Sequence, residues 1–160
     1  MERVNQILKL DLYKEYVNRN MLAEKQRQFC RHDMGHFLDV ARIAMILNLS
    51  EQYGLSKEMI YAAALLHDIG RWKQYEDGTP HEEVSAQLAP EILVKCGFNK
   101  EETAAVVNAI SNHRNVYIKE DKDLSGLLYR SDKLSRACFS CAAESECDWK
   151  KDKKNLLLNI

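Results

Sequence analysis

The sequence predicts an all-α fold, a single compact bundle of about six to seven helices. Two prolines and six glycines in 160 residues are few for the turns that a β-sheet needs. Apolar residues instead recur at intervals of three and four along most of the chain, which is the period of amphipathic helices. A chain of this length buries roughly 70% of its unfolded surface, so we expect one domain over residues 1–160.

The first half of the chain predicts three helices. Apolar residues spaced along residues 4–16 indicate the first, and a longer stripe over residues 37–47 indicates the second. Gly54 follows the second helix where a C-terminal cap is expected. The third helix begins after Ser56, a residue type that commonly caps helices, and it stays apolar to Leu66.

The second half predicts a loop followed by three more helices. Residues 71–80 are expected to form the loop, because Asp-Gly and Pro interrupt the helical pattern there. A helix follows over residues 82–93, and the next opens with Asn99 and Glu102, which have the spacing of a capping box. The last covers residues 124–134, with leucines recurring along one face.

Charge and composition argue against several functional classes. The chain has 23 basic and 24 acidic residues, so no overall field favours nucleic acid or an anionic membrane. No apolar run reaches the about 18 residues of a membrane span, and no basic-then-apolar leader opens the chain. We therefore expect a cytoplasmic protein without a membrane partner. Nothing in the composition indicates an oligomeric state.

The strongest chemical signal is the pair His67-Asp68 at the end of the apolar third helix. An imidazole and a carboxylate are costly to bury without partners, and a divalent metal suits both. Further candidate ligands stand at the edges of other apolar segments: His36, His81, His113 and Asp132. Each alone has an ordinary explanation, such as a helix cap or an ion pair of Asp132 with Arg130 or Arg136. Together, in a helical bundle, they can converge on one internal metal centre.

The order of these residues resembles the HD-domain metal-dependent phosphohydrolase superfamily. Five segments carry the resemblance: LLHDIGR at 65–71, AISNH at 109–113, YRSDKLSR at 129–136, and the stretches that begin at His36 and His81. They extend over about residues 30–136, which leaves 137–160 as a cysteine-containing C-terminal segment. The layout is most similar to the small bacterial HD hydrolases that use two metals.

The resemblance implies two divalent metal ions: iron, manganese or another transition metal such as zinc or nickel, or magnesium. The implied ligands of the first ion are His36, His67, Asp68 and Asp132. Asp68 would bridge to a second ion, held also by His81 and His113. A carboxylate between two cations lowers their mutual repulsion, so Asp68 is the expected catalytic bridge.

The implied activity is hydrolysis of a phosphoester or phosphoanhydride bond in a small nucleotide-like substrate, by a hydroxide held on the metals. Two alternatives stay open: a mixed-valent di-iron HD oxygenase, and a non-catalytic HD module that keeps metal for binding or sensing. The intact ligand set argues against the non-catalytic module. The sequence does not identify the substrate, because it has no glycine-rich phosphate loop, and no nucleic-acid partner is evident.

Four cations are candidates for contact with a substrate phosphate: Arg71, Lys133, Arg136 and Arg114. The first directly follows the HDIG motif and the second follows Asp132, so both are expected to serve in catalysis as well as binding. The third lies one helical turn beyond Asp132 and the fourth follows His113. His32 matches no ligand position of the family, and we expect it beside the site or on the surface.

Five cysteines in a chain without a secretion signal favour free thiols or a metal site over a disulfide framework. Cys138, Cys141 and Cys147 have the spacing C-x2-C-x5-C, and its first half is used by zinc and iron–sulfur sites. Three thiolates are one short of a closed tetrahedral site, and the fourth ligand would be Cys30, Cys96 or a histidine. Reduced unbound thiols, a second metal or cluster site, and a redox sensor all stay open.

Overall fold

The computed structural model describes residues 1–159, which form eight α-helices and contain no strand, so the all-α prediction is confirmed. The helices are α1 (Glu2–Lys9), α2 (Asp11–Ala23), α3 (Met34–Ser50), α4 (Lys57–Leu66), α5 (Arg71–Asp77), α6 (His81–Lys95), α7 (Lys100–Asn112) and α8 (Leu124–Leu134). Short 3-10 helices occur at Val116–Ile118, Cys138–Ser140, Glu144–Glu146 and Lys151–Lys153. Within this described part of the chain, no helix has the length and apolar character needed to cross a membrane.

The central helix is α4. Its residues from Ala62 to Leu66 are completely buried, and α1, α3, α7 and α8 pack around it. Beyond this group, α6 packs on α7, and α5 contacts both α6 and α2. A helix that is enclosed on several sides exposes little of its surface to solvent, so it needs no polar stripe. This explains the run of alanine and leucine in α4. The polar residues that follow α4 are therefore delivered into the interior of the bundle.

The prediction of one helix over residues 4–16 is wrong, because the segment forms two helices. Leu10 has an extended backbone, with φ of −64° and ψ of 129°, and separates α1 from α2. The first of these helices packs on α4, whereas the second packs on α5. The apolar residues of one continuous pattern therefore pack on two different helices. The spacing of apolar residues does not reveal that the chain changes direction at Leu10.

The prediction of a loop over residues 71–80 is wrong over most of its length. The segment Arg71–Asp77 forms α5, and Gly78, with φ of 84°, ends that helix in a left-handed conformation. None of the α5 side chains is fully buried, so the helix lacks the apolar stripe by which helices are recognised. Arg71 consequently projects from a helix and not from a loop.

The structure agrees with the two predicted features of helix starts, whereas one predicted helix end is wrong. The α7 capping box is present: the Asn99 side chain accepts a bond from the Glu102 N–H (2.8 Å), and the Glu102 carboxylate accepts one from the Asn99 N–H (3.0 Å). Ser56 precedes α4 as expected, although its side chain makes no capping bond. Gly54, however, does not end α3; that helix ends earlier, at Ser50, and Gly54 lies in the following turn with φ of 68°.

Gly70 allows the turn after α4 to lie directly against α6. Its N–H donates to the Ser85 hydroxyl (2.9 Å). A Cβ at this position would come within 2.7 Å of the Ser85 backbone nitrogen and of the Val84 side chain. The two backbones approach this closely because residue 70 has no side chain.

The C-terminal segment is held to the end of α8 mainly through Asn155. Its amide donates to the carbonyls of Lys133 (2.8 Å), Leu134 (3.2 Å) and Arg136 (3.0 Å). The Asn155 carbonyl in turn accepts from the Phe139 N–H (2.9 Å). These bonds satisfy carbonyls that the end of a helix leaves without partners.

Candidate metal centre

The six predicted ligand residues come from five helices and meet at one end of α4. His67 and Asp68 directly follow that helix, and His81 begins α6. His113 directly follows α7, and Asp132 lies in the last turn of α8. The remaining ligand, in the first turn of α3, is His36. Its N–H donates to the carboxylate of Asp33, the cap that starts α3 (3.2 Å).

Three of these residues form the first group, defined as His36, His67 and Asp132. The two imidazole Nε2 atoms lie 3.2 Å apart. The Oδ1 atom of Asp132 lies 3.6 Å from Nε2 of His36 and 3.9 Å from Nε2 of His67. Nitrogen and oxygen ligands with bonds of about 2.0–2.2 Å to one ion are separated by distances of this order.

The other three residues form the second group, defined as Asp68, His81 and His113. The Nε2 atoms of its two histidines also lie 3.2 Å apart. The Oδ1 atom of Asp68 lies 3.0 Å from Nε2 of His81 and 3.5 Å from Nε2 of His113. All three side chains are buried, in contrast to the first group, where His36 and Asp132 are partly exposed.

The carboxylate of Asp68 is divided between the two groups. While Oδ1 belongs to the second group, Oδ2 lies 3.2 Å from Nε2 of His67 and 3.7 Å from Nε2 of His36 in the first. Oδ1 is buried and has no hydrogen-bond partner in the protein. A buried carboxylate oxygen without a partner is costly, and a cation between it and the histidines would satisfy it.

Two of the histidines, His67 and His113, turn the lone pair of the neutral ring toward these positions. Nδ1 of His67 donates to the Ala64 carbonyl and Nδ1 of His113 donates to the Ile110 carbonyl, each over 2.7 Å. A carbonyl can only accept, so Nδ1 carries the proton and Nε2 is left as an acceptor. Each of these two lone pairs faces the Nε2 atom of another histidine over 3.2 Å, a spacing that a cation bound by both rings would fit. Backbone carbonyls of this kind commonly orient metal-binding histidines.

Electrostatics keep the carboxylates ionised. Burial alone would raise the pKa of Asp68, but the neighbouring imidazoles, His67 first, hold it well below its ordinary value. The pKa of Asp132 is likewise lowered, because the Lys133 ammonium outweighs the effect of burial. Burial lowers the pKa of His81, which favours the neutral form that binds metals. The two carboxylates and His81 are therefore held in the state that a ligand requires, whereas the Asp68 carboxylate raises the pKa of His67 against the effect of burial, so His67 must give up a proton when an ion binds.

Two buried polar residues, Asn20 of α2 and Glu24 directly after it, support the site, and the sequence did not reveal them. The Glu24 carboxylate accepts bonds from the His32 N–H (2.7 Å), from His32 Nδ1 (2.5 Å) and from the Tyr75 hydroxyl (2.7 Å). The Asn20 amide donates to the Asp68 carbonyl (2.8 Å) and accepts from the N–H of residue 72 (2.7 Å). Asn20 thus holds the backbone that carries Asp68, and Glu24 holds His32 and Tyr75, which lie beside the site.

His32 lies beside the site, one of the two places expected for it. Its Nε2 is 3.8 Å from Oδ2 of Asp68. The residue reaches this position from the segment before α3, which begins at Met34, so it does not share a helix face with His36. The spacing of four residues between the two histidines was the only signal in the sequence.

Two of the four predicted phosphate-binding cations lie at the ligand groups. A guanidinium nitrogen of Arg71 is 2.7 Å from Nδ1 of His81 in the second group. The ammonium of Lys133 pairs with the carboxylate of Asp132 in the first group and lies 3.3 Å from the His113 carbonyl. Each cation is thus next to a different ligand group.

The other two cations lie farther out. Arg114 is half-exposed and bonds to the Glu82 carboxylate at 3.2 Å, which in turn is 3.5 Å from Nδ1 of His81. The prediction that Arg136 faces the site from the helix of Asp132 is not supported by its contacts. Its guanidinium lies 4.0 Å from the centroid of the Trp149 ring and donates to the carbonyl of residue 153 (3.4 Å). The C-terminal segment engages this arginine.

The structure does not bring Cys138, Cys141 and Cys147 together around a single ion. In residues 1–159, every group of three or more potential ligand atoms within 4.8 Å of one another consists of histidine and aspartate. Cys96 lies in the hydrophobic core and is 1% exposed, so it is not available as a fourth ligand. All five cysteines are free of disulfide bonds.

Comparison with known families and structures agrees with this arrangement. The model of the HD domain family matches residues 34–137, and the chain belongs to that family. A crystal structure of a predicted HD superfamily hydrolase from an uncultured Thermotogales bacterium is similar, with a TM-score of 0.64 and 26% identity. The likeness covers 89% of this chain and 81% of that one. HD domains bind divalent metals, which fits the two histidine–aspartate groups.

Two relatives are bacterial proteins. An uncharacterized protein of Clostridium beijerinckii is 48% identical over 155 residues, which cover 97% of each chain. Ribonuclease Y of Enterococcus faecalis is 30% identical over 112 residues. That match covers 70% of this chain but only 20% of the ribonuclease, so the likeness concerns one part of a longer protein.

Proposed function

We propose that this protein is a metal-dependent phosphohydrolase that cleaves a phosphoester or phosphoanhydride bond of a small nucleotide-like substrate. The observation that supports this most strongly is the division of the Asp68 carboxylate between two groups of ligand atoms. One oxygen faces His36 and His67, and the other, which has no protein hydrogen bond, faces His81 and His113. Two divalent ions sharing one carboxylate are typical of centres that hydrolyse phosphate esters.

In this proposal the protein holds the histidine rings in the orientation that metal binding requires. Bound at such positions, divalent ions supply a water molecule of lowered pKa and neutralise charge on a phosphoryl group. The backbone carbonyls of Ala64 and Ile110 hold the protons of His67 and His113 on Nδ1, away from the ions. The ring of His81 is held at Nδ1 by the Gln74 amide (2.5 Å) and by the Arg71 guanidinium (2.7 Å). These contacts orient the rings before any ion or substrate binds.

The substrate would approach from the side of the first group, because that side is open. The side chains of His36 and Asp132 are 14% and 13% exposed, whereas those of the second group are nearly inaccessible. Arg71 and Lys133 stand at the second and first groups respectively, so their donors can bind phosphate oxygens on both sides of the reacting phosphorus. Both cations would then stabilise negative charge that develops in the transition state.

The test compares phosphate release by the metal-loaded protein and by matched variants. We expect the parent, reconstituted with iron(II) or manganese(II), to hydrolyse a chromogenic phosphate ester or at least one member of a nucleotide panel. Asp68→Ala should be inactive, while Asp39→Ala, which changes an exposed aspartate of α3, should match the parent. No hydrolysis by a parent shown to contain two ions would contradict the proposal and favour a binding or sensing module.

A second candidate function is cleavage of phosphodiester bonds in RNA. The similarity to part of ribonuclease Y favours it, because 70% of this chain aligns with that enzyme. Release of nucleotides from labelled single-stranded RNA, compared with release of phosphate from free nucleotides, separates the two candidates. We expect faster turnover of the small substrates, because the chain's net charge of −1 provides no general attraction for a polyanion.

The di-iron oxygenase alternative uses the same ligand types and needs its own measurement. Oxygen uptake by the iron-loaded protein, followed together with phosphate release, distinguishes the two chemistries. We expect phosphate release to continue under anaerobic conditions, since hydrolysis consumes water and no oxygen. Activity that stops without oxygen would favour the oxygenase.

A further inference from the structure

A second set of metal-ligating side chains lies outside the histidine–aspartate centre. Three cysteines of the C-terminal segment have neither a disulfide bond nor a place in the proposed hydrolysis: Cys138, Cys141 and Cys147. All three are partly buried, although the segment around them is mostly polar and exposed. Partly buried thiols on such a segment contribute little to a hydrophobic core, which leaves their position to be explained.

A series of tight backbone turns spaces these three thiols. The Cys141 N–H bonds to the Cys138 carbonyl (3.2 Å), the Glu144 N–H to the Cys141 carbonyl (3.1 Å), and the Cys147 N–H to the Glu144 carbonyl (3.2 Å). Each turn brings residues three apart close together. Each cysteine therefore stands at the start or end of a turn, and the turns fold the segment back on itself.

A fourth thiol, that of Cys30, lies in the segment between α2 and α3. The Gln28 amide donates to the Glu146 carboxylate (2.9 Å), which places the segment of Cys30 against the segment of Cys147. In agreement with this geometry, burial raises the pKa of the Cys30 thiol and the thiols of Cys138 and Cys141 raise it further. By contrast, burial alone raises the pKa of the core thiol at position 96.

The distances between the thiols argue against a single ion. Around one zinc ion, bonds of about 2.3 Å place neighbouring thiolates roughly 3.8 Å apart. In residues 1–159, no three of the cysteine sulfur atoms lie within even 4.8 Å of one another. Thiols that share one region without three of them coming this close suit a wider group, and a cluster of four irons and four sulfides is wider than one ion.

We propose that Cys30, Cys138, Cys141 and Cys147 ligate an iron–sulfur cluster of four irons and four sulfides. The proposal supplies the fourth ligand that the spacing C-x2-C-x5-C lacks, and ligation by four cysteine thiolates is the usual arrangement for such clusters. It does not depend on the hydrolytic function, because none of these cysteines belongs to the histidine–aspartate groups. Binding releases four thiol protons and leaves the cluster with its thiolates negatively charged.

Two cations are placed to offset that charge. The Lys154 ammonium donates to the Glu144 carboxylate and to the Glu144 carbonyl (2.8 Å each), and its pKa is raised by that carboxylate and, to a smaller extent, by the thiols of Cys147 and Cys138. The Arg136 guanidinium lies near Cys30, whose thiol pKa it lowers. Positive charge beside a thiol favours the thiolate that binds metal. This also gives Arg136 a role apart from phosphate binding.

The test is the acid-labile sulfide content of the full chain purified without oxygen. We expect about four sulfides per chain and the broad visible absorption of sulfide-to-iron charge transfer. Iron content alone is not informative, because the histidine–aspartate groups can also bind iron. In Asp68→Ala, sulfide and visible absorption should therefore persist although the metal of the other centre is lost. Zinc without sulfide, or no metal at the cysteines, would overturn the proposal.

Single substitutions assign the ligands. Cys30→Ser and Cys141→Ser should each lose most of the sulfide and the visible absorption. Cys96→Ala, which removes the one cysteine placed in the hydrophobic core, is the matched control and should retain both. Full sulfide content in Cys30→Ser would rule out the fourth ligand named here.

Alkylation of the parent keeps the proposal testable if a serine variant does not fold. We expect the four proposed ligands to resist a small alkylating reagent in the native protein and to react after the cluster is removed with a chelator and an oxidant. Of the four residues, Cys30 has the most exposed surface in the chain without a cluster, although its thiol is partly shielded, so its reactivity should change most. Rapid alkylation of Cys30 in the protein as purified would contradict the proposal.

Discussion

The two ligand groups share Asp68 but differ in their access to solvent. The first group opens to the surface through His36 and Asp132, whereas the second is enclosed by α5, α6 and α7. The difference follows from the origin of the ligands. His81 and His113 are held by helices that pack on each other, while the first group is completed by residues at the exposed ends of α3 and α8. In the proposed centre, an ion in the second group would therefore have a supporting role, and an ion in the first group would be the one that a substrate reaches.

Removal of the shared carboxylate should have the largest effect, because it acts on both groups. Asp68→Ala leaves the two ion positions with no anion between them, so we expect loss of most metal and of detectable hydrolysis. Metal content by mass spectrometry and phosphate release are the measurements, with Asp39→Ala as control. An active Asp68→Ala protein would show that the proposed centre does not perform the reaction.

Removal of one histidine from either group should separate the groups. We expect two ions per chain in the parent, and one each in His36→Ala and His113→Ala. The ion retained should differ: the enclosed one in the first variant and the open one in the second. Titration calorimetry and spectroscopy with cobalt(II) distinguish these outcomes, and identical spectra for the two variants would argue that only one ion binds.

The Arg71→Ala variant tests how much a positive charge at the site contributes to hydrolysis, because the substitution leaves the six proposed metal ligands unchanged. Arg71→Ala should keep both ions, because a guanidinium does not coordinate them, yet lose a charge-assisted contact to phosphate. We expect a rate loss of about 10–100-fold, which corresponds to about 1.4–2.7 kcal/mol. Arg42→Ala, which removes an exposed arginine of α3, is the matched control. Unchanged hydrolysis in Arg71→Ala would assign this residue to the surface.

Smaller effects are expected from the residues that orient the histidines. Gln74 lies 2.5 Å from Nδ1 of His81, whereas the Ser135 hydroxyl is 3.3 Å from Nδ1 of His36. Gln74→Ala should weaken metal binding at the second group about 10-fold, the lower end of the range for such partners. Ser135→Ala should affect the first group less, because its contact is longer. Equal losses in both variants would contradict this ranking.

The grouping of the six histidine and aspartate residues could be predicted from the sequence, but the residues that support them could not. His67, His81 and His113 stand next to apolar helices, so the helix pattern together with the family motifs places them at one end of a bundle. Glu24 and Asn20 give no such signal, because each is a single polar residue in or beside an amphipathic helix. Their burial depends on how α2 packs on α5, and the sequence predicted the bounds of neither helix correctly.

Gly70 shows how a contact between backbones can set the chemistry of a site. The absence of a side chain there lets α6 come close enough for His81 to reach Asp68. Even the single methyl group of alanine would have to displace the backbone at Ser85. In the proposed two-ion centre, binding of the second ion would therefore depend on a residue that belongs to neither ligand group. A change at Gly70 would then convert two-ion into one-ion chemistry with all six histidine and aspartate side chains still in place.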